Sequence, residues 1–157
     1  MMIHYKKGNL FDFDDIKISD ILVHACNAQG VWGSGIAKEF RDRYPYAFRK
    51  YNEWCDYNRK NNVRSVGRGI IIRTPCEPSV GCLITSSDYG IHRDSIPLIL
   101  FNTYMAVWDM LNFLDNEDII CIKSPKINSG LFRVPWKLTG QFMNYKEKSN
   151  EISLYTV

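Results

Sequence analysis

Hydrophobic and polar positions alternate along the chain in blocks that predict strands and helices in turn. Short apolar runs, several of them rich in β-branched residues, predict strands over residues 3–5, 20–26, 69–73, 82–85, 118–122 and 152–157. Apolar residues at helical spacing predict helices over residues 36–44, 47–59, 98–114 and 136–145. Pro75 and residues 78–81 predict a turn, and Pro45 is expected to end the first helix.

This order of elements is typical of an α/β fold. Since helices connect successive strands, we expect a mostly parallel central sheet with helices packed on both of its faces. No segment repeats and no low-complexity linker divides the 157 residues, so residues 1–157 are predicted to form a single domain. Ligands of such sheets bind beyond the carboxyl ends of the strands, and the loops found there therefore carry the functional prediction.

Composition narrows the functional classes. With 45% hydrophobic and 24% charged residues, the chain resembles neither a disordered protein nor a disulfide-stapled mini-protein. Its net charge of +3 is small and the charges are mixed along the chain, so no nucleic-acid partner is expected. No apolar stretch reaches the length of a membrane span or of a signal peptide, and we expect no membrane association.

The cysteines Cys26, Cys55, Cys76, Cys82 and Cys121 are odd in number and include no C-x-x-C pair. The sequence therefore predicts no metal site and no disulfide framework, which favours a reduced protein in the cytoplasm. Cys26 adjoins a functional loop and is a candidate catalytic thiolate, although packing as a small apolar side chain is the favoured interpretation.

Two glycine-bearing loops follow predicted strands. The first, residues 27–35, opens a helix, and its glycines allow the backbone to approach a phosphate beside the positive end of the helix dipole. It is neither a P-loop, because no Gly-Lys-Ser/Thr follows, nor a dinucleotide fingerprint, because Lys38 occupies the place of the third glycine. Trp32 in this loop is expected to be exposed.

The second loop, residues 124–132, has the same character. Two such loops at one sheet edge could hold the two ends of a diphosphate. Phe132 is a candidate for stacking on a sugar or base, with packing in the core as the alternative.

The three histidines are His4, His24 and His92. Histidine titrates near neutral pH and is the side chain best suited to proton transfer there. His24 ends a predicted strand just before the first loop, and His92 follows the strand at 82–85, so both are predicted to be catalytic. A structural role is the alternative for each, and His4 has no motif around it.

Four segments in this order resemble the macrodomain family: KGNL at 7–10, ILVHACN at 21–27, GSGIA at 33–37 and PKINSGLF at 125–132. Within that family, HACN, WGSGIA, LITSS and INSGLFRVPW are most similar to the ADP-ribose 1″-phosphate phosphatase branch. The resemblance implies a three-layer α/β/α sandwich with a mixed, mostly parallel sheet. It also implies removal of the terminal phosphate from ADP-ribose 1″-phosphate by a monomer without cofactor or metal.

The resemblance also implies which residues bind ADP-ribose, with the two loops holding the diphosphate and Asn27 bonding the distal ribose. A water would attack the 1″-phosphate while His24 or His92 handles the protons. The implied ligand-binding residues are Gly8, Asn9, Leu10, Ala25, Cys26, Asn27, Trp32, Gly33, Ser34, Gly35, Ile36, Ala37, Asn128, Ser129, Gly130, Leu131 and Phe132.

Some positions depart from the family pattern. Asn9 replaces the aspartate that usually contacts adenine. A neighbouring branch of the family removes ADP-ribose from proteins and is known for a lysine after the middle strand and an aspartate in the second loop. This chain has Ser86-Ser87 in the place of the lysine and Phe132 in the place of the aspartate. The resemblance therefore does not favour that activity.

Three alternatives to the phosphatase stay open. One is a reader that binds ADP-ribose without turnover, and another is an ADP-ribosyl hydrolase. A magnesium-dependent phosphatase using Asp12 and Asp14 is disfavoured, because their D-x-D motif does not follow a long apolar strand.

Overall fold

A computed structural model describes the backbone of residues 2–114, 121–143 and 151–156. Its strands are β1 (Met2–Lys7), β2 (Ile21–Asn27), β3 (Gly69–Ile72), β4 (Ser79–Ser86), β5 (Cys121–Pro125) and β6 (Glu151–Thr156). Its helices are α1 (Gly35–Arg43), α2 (Pro45–Lys60), α3 (Ile96–Phe113) and α4 (Trp136–Met143). Single 3-10 turns lie at Leu10–Asp12 and Gly90–His92.

The strands form one six-stranded sheet in the order β1-β6-β5-β2-β4-β3. Every neighbouring pair is parallel except β3 and β4, which are antiparallel. The predicted mixed, mostly parallel sheet is therefore confirmed. Because β2, β4 and β5 run in the same direction, the loops that follow them meet at one edge of the sheet.

The alternation of side chains along β2 builds the two outer layers. Leu22 and Cys26 pack into an apolar cluster with Phe40 of α1 and Tyr51 of α2. Ile21 and Val23 point to the opposite face, where they join a cluster that includes Met110 and its neighbours on α3. A sheet covered in this way on both faces is the three-layer α/β/α arrangement that the sequence predicted.

Gly69 allows α3 to lie unusually close to the sheet. A Cβ atom built there would come within 2.1 Å of the Ala106 carbonyl oxygen and 2.8 Å of the Met110 Cβ. Any side chain at this position would push α3 away from β3 and β4.

The predicted elements match the structure in kind and differ at their ends. The turn predicted at 78–81 is wrong in part, because β4 begins at Ser79 and pairs from there with β2. Pro45 ends α1 and also occupies the first turn of α2, where its missing N–H costs nothing. The predicted strand residues 118–120 and 157, and the helix residues 144–145, lie outside the described residues.

Among the described residues, no helix is both long and apolar enough to cross a membrane.

Candidate ligand pocket

A cavity of about 960 Å³ opens at the sheet edge where β2 and β5 end. Its volume lies within the range of pockets that hold small-molecule ligands and cofactors. The predicted residues on its wall are Asn9, Leu10, Ala25, Cys26, Asn27, Trp32, Gly33, Ser34, Gly35, Ile36, Ala37, Asn128, Ser129, Gly130, Leu131 and Phe132. The structure thus brings both glycine-bearing loops together, while Gly8, His24 and His92 are not on this wall.

The first loop leads directly into α1. Gly35, the first residue of that helix, has a φ of +59°, a left-handed conformation that favours glycine. Ser34 before it is extended, and its side chain makes no capping hydrogen bond. The first amides of α1 have no partner within the helix and lie at the cavity wall, where they suit an anionic ligand group.

Asn27 holds this loop in shape. Its Nδ2 donates to the Val31 carbonyl oxygen at 2.7 Å, and its Oδ1 accepts from the backbone N–H of Gln29 at 3.0 Å and of Val31 at 3.3 Å. The Tyr51 hydroxyl donates to the Asn27 carbonyl oxygen. These bonds use one of the two Nδ2 N–H groups of Asn27, and its role as a ribose ligand stays a prediction.

Asn128 holds the second loop from within. It is 4% exposed, and its φ of +64° lies in the left-handed region. Its Oδ1 accepts from the Thr85 hydroxyl of β4 at 2.7 Å, and its Nδ2 donates to the Thr103 hydroxyl of α3 at 2.8 Å. The Asn128 side chain therefore ties the second loop to the sheet and to α3. The cavity is lined instead by the backbone of this loop and by the residues next to Asn128.

A third loop, after β4, completes the wall. The Asp94 carboxylate accepts the Ser87 backbone N–H at 2.8 Å and also the Ser87 hydroxyl, which closes the loop on itself. Tyr89 and Arg93 of this loop line the cavity. The side chain of His92 is exposed and lies outside the wall, although the residues on both sides of it belong to the wall.

His24 lies in the core between aromatic rings. Its imidazole stacks on Phe40 with centroids 4.0 Å apart and meets the edge of Trp32 at 4.6 Å, and the residue is 0% exposed. Burial lowers the pKa of His24 to about 3, against the opposing effect of a hydrogen bond with the backbone of Ala25. The catalytic prediction for His24 is corrected on this ground, because its ring is uncharged at neutral pH and is shut off from the cavity.

The depressed pKa of His24 predicts a pH-dependent stability. Between pH 6.5 and 3 the unfolded chain binds this proton and the folded chain does not. The free energy of unfolding is therefore expected to fall by roughly 1.4 kcal/mol for each pH unit below 6.5 through this residue alone. Urea unfolding of the protein and of His24→Phe at pH 7, 6 and 5 measures it. The same pH dependence in both proteins would contradict the buried neutral histidine.

Trp32 and Cys26 form the floor of the cavity rather than an exposed wall. The expectation that Trp32 is exposed is wrong, since the residue is 0% exposed and stacks on Tyr51 with centroids 4.9 Å apart. Burial, followed by the nearby Cys82 thiol, raises the pKa of Cys26 well above its usual value. A catalytic thiolate at Cys26 is therefore disfavoured.

The charged residues of the pocket were missed by the sequence analysis. Glu39 of α1 is the only acidic residue among the described residues of the wall, and Asn9 Nδ2 donates to its Oε1 at 3.1 Å. The cations on the wall are Arg93, Lys126 and Arg133, which belong to the loops after β4 and β5. Glu39 lies one helical turn after Gly35, and residues at this i, i+4 spacing share a face of the helix. That spacing could have indicated from the sequence that Glu39 faces the ligand.

The chain is similar in sequence and in structure to known proteins. The Macro domain family model matches residues 23–143. The Debaryomyces hansenii protein named ADP-ribose 1″-phosphate phosphatase is 31% identical over 99% of both chains, and the Chaetomium globosum protein of the same name is 36% identical over 74% of this chain and 70% of its own. The solved macrodomain of Mycobacterium tuberculosis DarG is 21% identical over 97% of both chains, with a TM-score of 0.73. This chain belongs to the macro domain family.

Proposed function

We propose that this protein binds ADP-ribose in the cavity and removes the terminal phosphate of ADP-ribose 1″-phosphate. The observation that carries the proposal is the convergence of residues 33–37 and 128–132 on one wall. The start of α1 supplies backbone amides for a diphosphate, and the second loop faces them. The shared name of the relatives from Debaryomyces hansenii and Chaetomium globosum supports the same activity.

The charged residues of the cavity wall favour one orientation of the bound ligand. Arg93, Lys126 and Arg133 on the loops after β4 and β5 favour the phosphate groups, and an arginine can bond a phosphate through two parallel N–H donors. Glu39 on α1 disfavours phosphate and favours a hydrogen-bond donor. A ligand with an amino-bearing base at one end and phosphates at the other would match this polarity.

Glu39 takes the role that an aspartate at position 9 has in many macrodomains. Asn9 Oδ1 already accepts the Phe11 backbone N–H at 2.9 Å, and Asn9 Nδ2 donates to Glu39. The second carboxylate oxygen of Glu39 can then accept from the exocyclic amine of adenine. The carboxylate of Glu39 on α1 thus supplies the negative charge that Asn9 lacks.

Glu39→Gln is therefore expected to weaken ADP-ribose binding by about tenfold, because a hydrogen bond to a charged group contributes about 1.5 kcal/mol or more. The analogue with hypoxanthine in place of adenine lacks the amine and should lose much less. Calorimetric titration of both ligands measures the difference. Glu53→Gln on α2, an exposed residue outside the pocket, is the matched control. Equal losses for the two ligands would contradict the contact.

The reaction needs a water, a positioned phosphate and a proton for the leaving group. Water attacks phosphorus, the bond from phosphorus to the 1″ oxygen breaks, and that oxygen takes up a proton. The loop amides and cations would position and neutralise the phosphate. With His24 in the core, His92 is the histidine within reach of the rim and our candidate for the proton transfer.

Titration with ADP-ribose followed by a phosphate-release assay on ADP-ribose 1″-phosphate tests the function. We expect binding at a single site and release of phosphate. Binding without release would establish a reader in place of an enzyme. Release of ADP-ribose from a modified protein without release of phosphate would favour the hydrolase alternative, and absence of binding would refute the proposal as a whole.

A further inference from the structure

Three soft metal-ligating side chains meet at the floor of the cavity, where Cys26 also lines the wall. His24 of β2 lies opposite Cys82 of β4 in the register of the sheet, and Cys26 lies two residues further along β2 on the same face. A ring nitrogen of His24 and the sulfur atoms of Cys26 and Cys82 all lie within 4.8 Å of one another. No sequence pattern indicated this group, because 55 residues lie between Cys26 and Cys82.

The separations suit a single small cation at the centre of the group. Metal–sulfur bonds of about 2.3 Å and metal–nitrogen bonds of about 2.0 Å place their ligand atoms roughly 3.5–4 Å apart. The Cys26 sulfur lies 3.7 Å from both ring nitrogens of His24. Because this sulfur is equally far from both nitrogens, it lies over the ring, and binding would require the His24 ring to turn from its stack on Phe40 so that one nitrogen faces the ion. Neither strand would have to move.

A neighbouring donor provides a second, independent observation. The indole Nε1 of Trp32 is fully buried and has no hydrogen-bond partner in the described part of the chain. It lies beside the Cys26 thiol, whose sulfur is only a weak acceptor while it is protonated. An unpaired buried N–H is costly, whereas a metal-bound thiolate at Cys26 would accept from it.

We propose that His24, Cys26 and Cys82 bind one Cu(I) ion in the core, with the Trp32 indole donating to the Cys26 thiolate. Thiolate and imidazole ligands suit Cu(I), a soft cation. Zinc favours four ligands, and no further histidine, cysteine or carboxylate joins this group among the described residues. The site adjoins the proposed ligand cavity at Cys26 and Trp32, but no step of the proposed phosphatase reaction uses it.

The test is an anaerobic titration of the reduced, full-length protein with Cu(I) held by the chelator bathocuproine disulfonate. We expect the protein to withdraw one equivalent of copper and its unfolding temperature to rise with loading, because the ion binds the folded state. X-ray absorption of the loaded protein is expected to show two sulfur neighbours and one nitrogen neighbour. No ADP-ribose is present, so failure here is distinct from failure of the proposed function.

Cys82→Ala is expected to weaken copper binding at least tenfold. Cys76→Ser is the matched control, because Cys76 is exposed and lies outside the group. No withdrawal of copper, or equal affinity in Cys82→Ala and the unaltered protein, would overturn the proposal. If Cys82→Ala does not fold, X-ray absorption of the unaltered protein decides, and a set of neighbours other than two sulfurs and one nitrogen refutes the site.

Discussion

Gly35→Val is expected to weaken ADP-ribose binding by about a hundredfold or more while the protein stays folded. Gly35 begins α1 at the cavity wall with a φ of +59°. A β-branched side chain there would stand in front of the amides that we propose bind the diphosphate, and it disfavours the left-handed conformation that presents them. Losing two hydrogen bonds to a charged phosphate, at about 1.5 kcal/mol each, accounts for that loss.

Gly67→Val is a close control for backbone strain. Gly67 has a φ of +82° and lies outside the pocket. A Cβ atom added at Gly67 would lie 3.5 Å from Met105, and one added at Gly35 would lie 3.5 Å from Leu131. Both variants should therefore lose similar stability, and only Gly35→Val should lose affinity. Calorimetric titration beside thermal unfolding measures both quantities, and unchanged affinity in Gly35→Val would place the ligand elsewhere.

The sequence predicted the fold well where one local signal determined it. The apolar run that forms β2 and the glycine-bearing loop after it could be placed from periodicity and turn chemistry alone. The same loop signal placed residues 128–132 on the cavity wall. Chain direction then followed from the order of elements, because parallel strands joined by helices present their carboxyl ends on one side.

The direction of individual side chains could not be predicted in the same way. His24 and Ala25 are neighbours on β2, yet Ala25 lies on the cavity wall and His24 lies in the core. Cys26 shares the face of His24 and still reaches the wall, so His24 is kept from the cavity by its position further from the end of β2, among packed aromatic rings. The expected exposure of Trp32 was wrong because its burial depends on stacking against Tyr51, and therefore on how α2 packs.

The i, i+4 spacing from Gly35 was a local signal for Glu39, but the pairings that place charged residues on the wall are not local. Glu39 reaches the cavity only because α1 runs along it, and its partner Asn9 is 30 residues away in the chain. Arg93 is held there by a loop that closes through Ser87 and Asp94. No pattern of hydrophobic and polar positions contains these pairings, which arise from tertiary packing.

His92→Ala is expected to lower the rate of phosphate release by about a hundredfold while ADP-ribose affinity is retained. A positioned acid or base contributes roughly 10²–10⁴-fold, and we expect the low end because the side chain lies beside the wall rather than on it. Binding should survive, because the amides of residues 33–37 and the second loop do not involve the imidazole. The residue is exposed, so removal of its ring should leave the free energy of unfolding nearly unchanged.

His24→Phe is the matched variant for that experiment. Phenylalanine preserves a flat ring against Phe40 and removes both ring nitrogens, so phosphate release should persist if His24 serves packing and metal binding only. The rate of phosphate release in a single turnover is measured at pH 7 for both variants and the unaltered protein. The comparison shows which of the two histidines contributes to catalysis. Loss of turnover in His24→Phe with intact folding would restore its catalytic assignment. Full activity in His92→Ala would leave the loops and the cations Arg93, Lys126 and Arg133 to account for the rate.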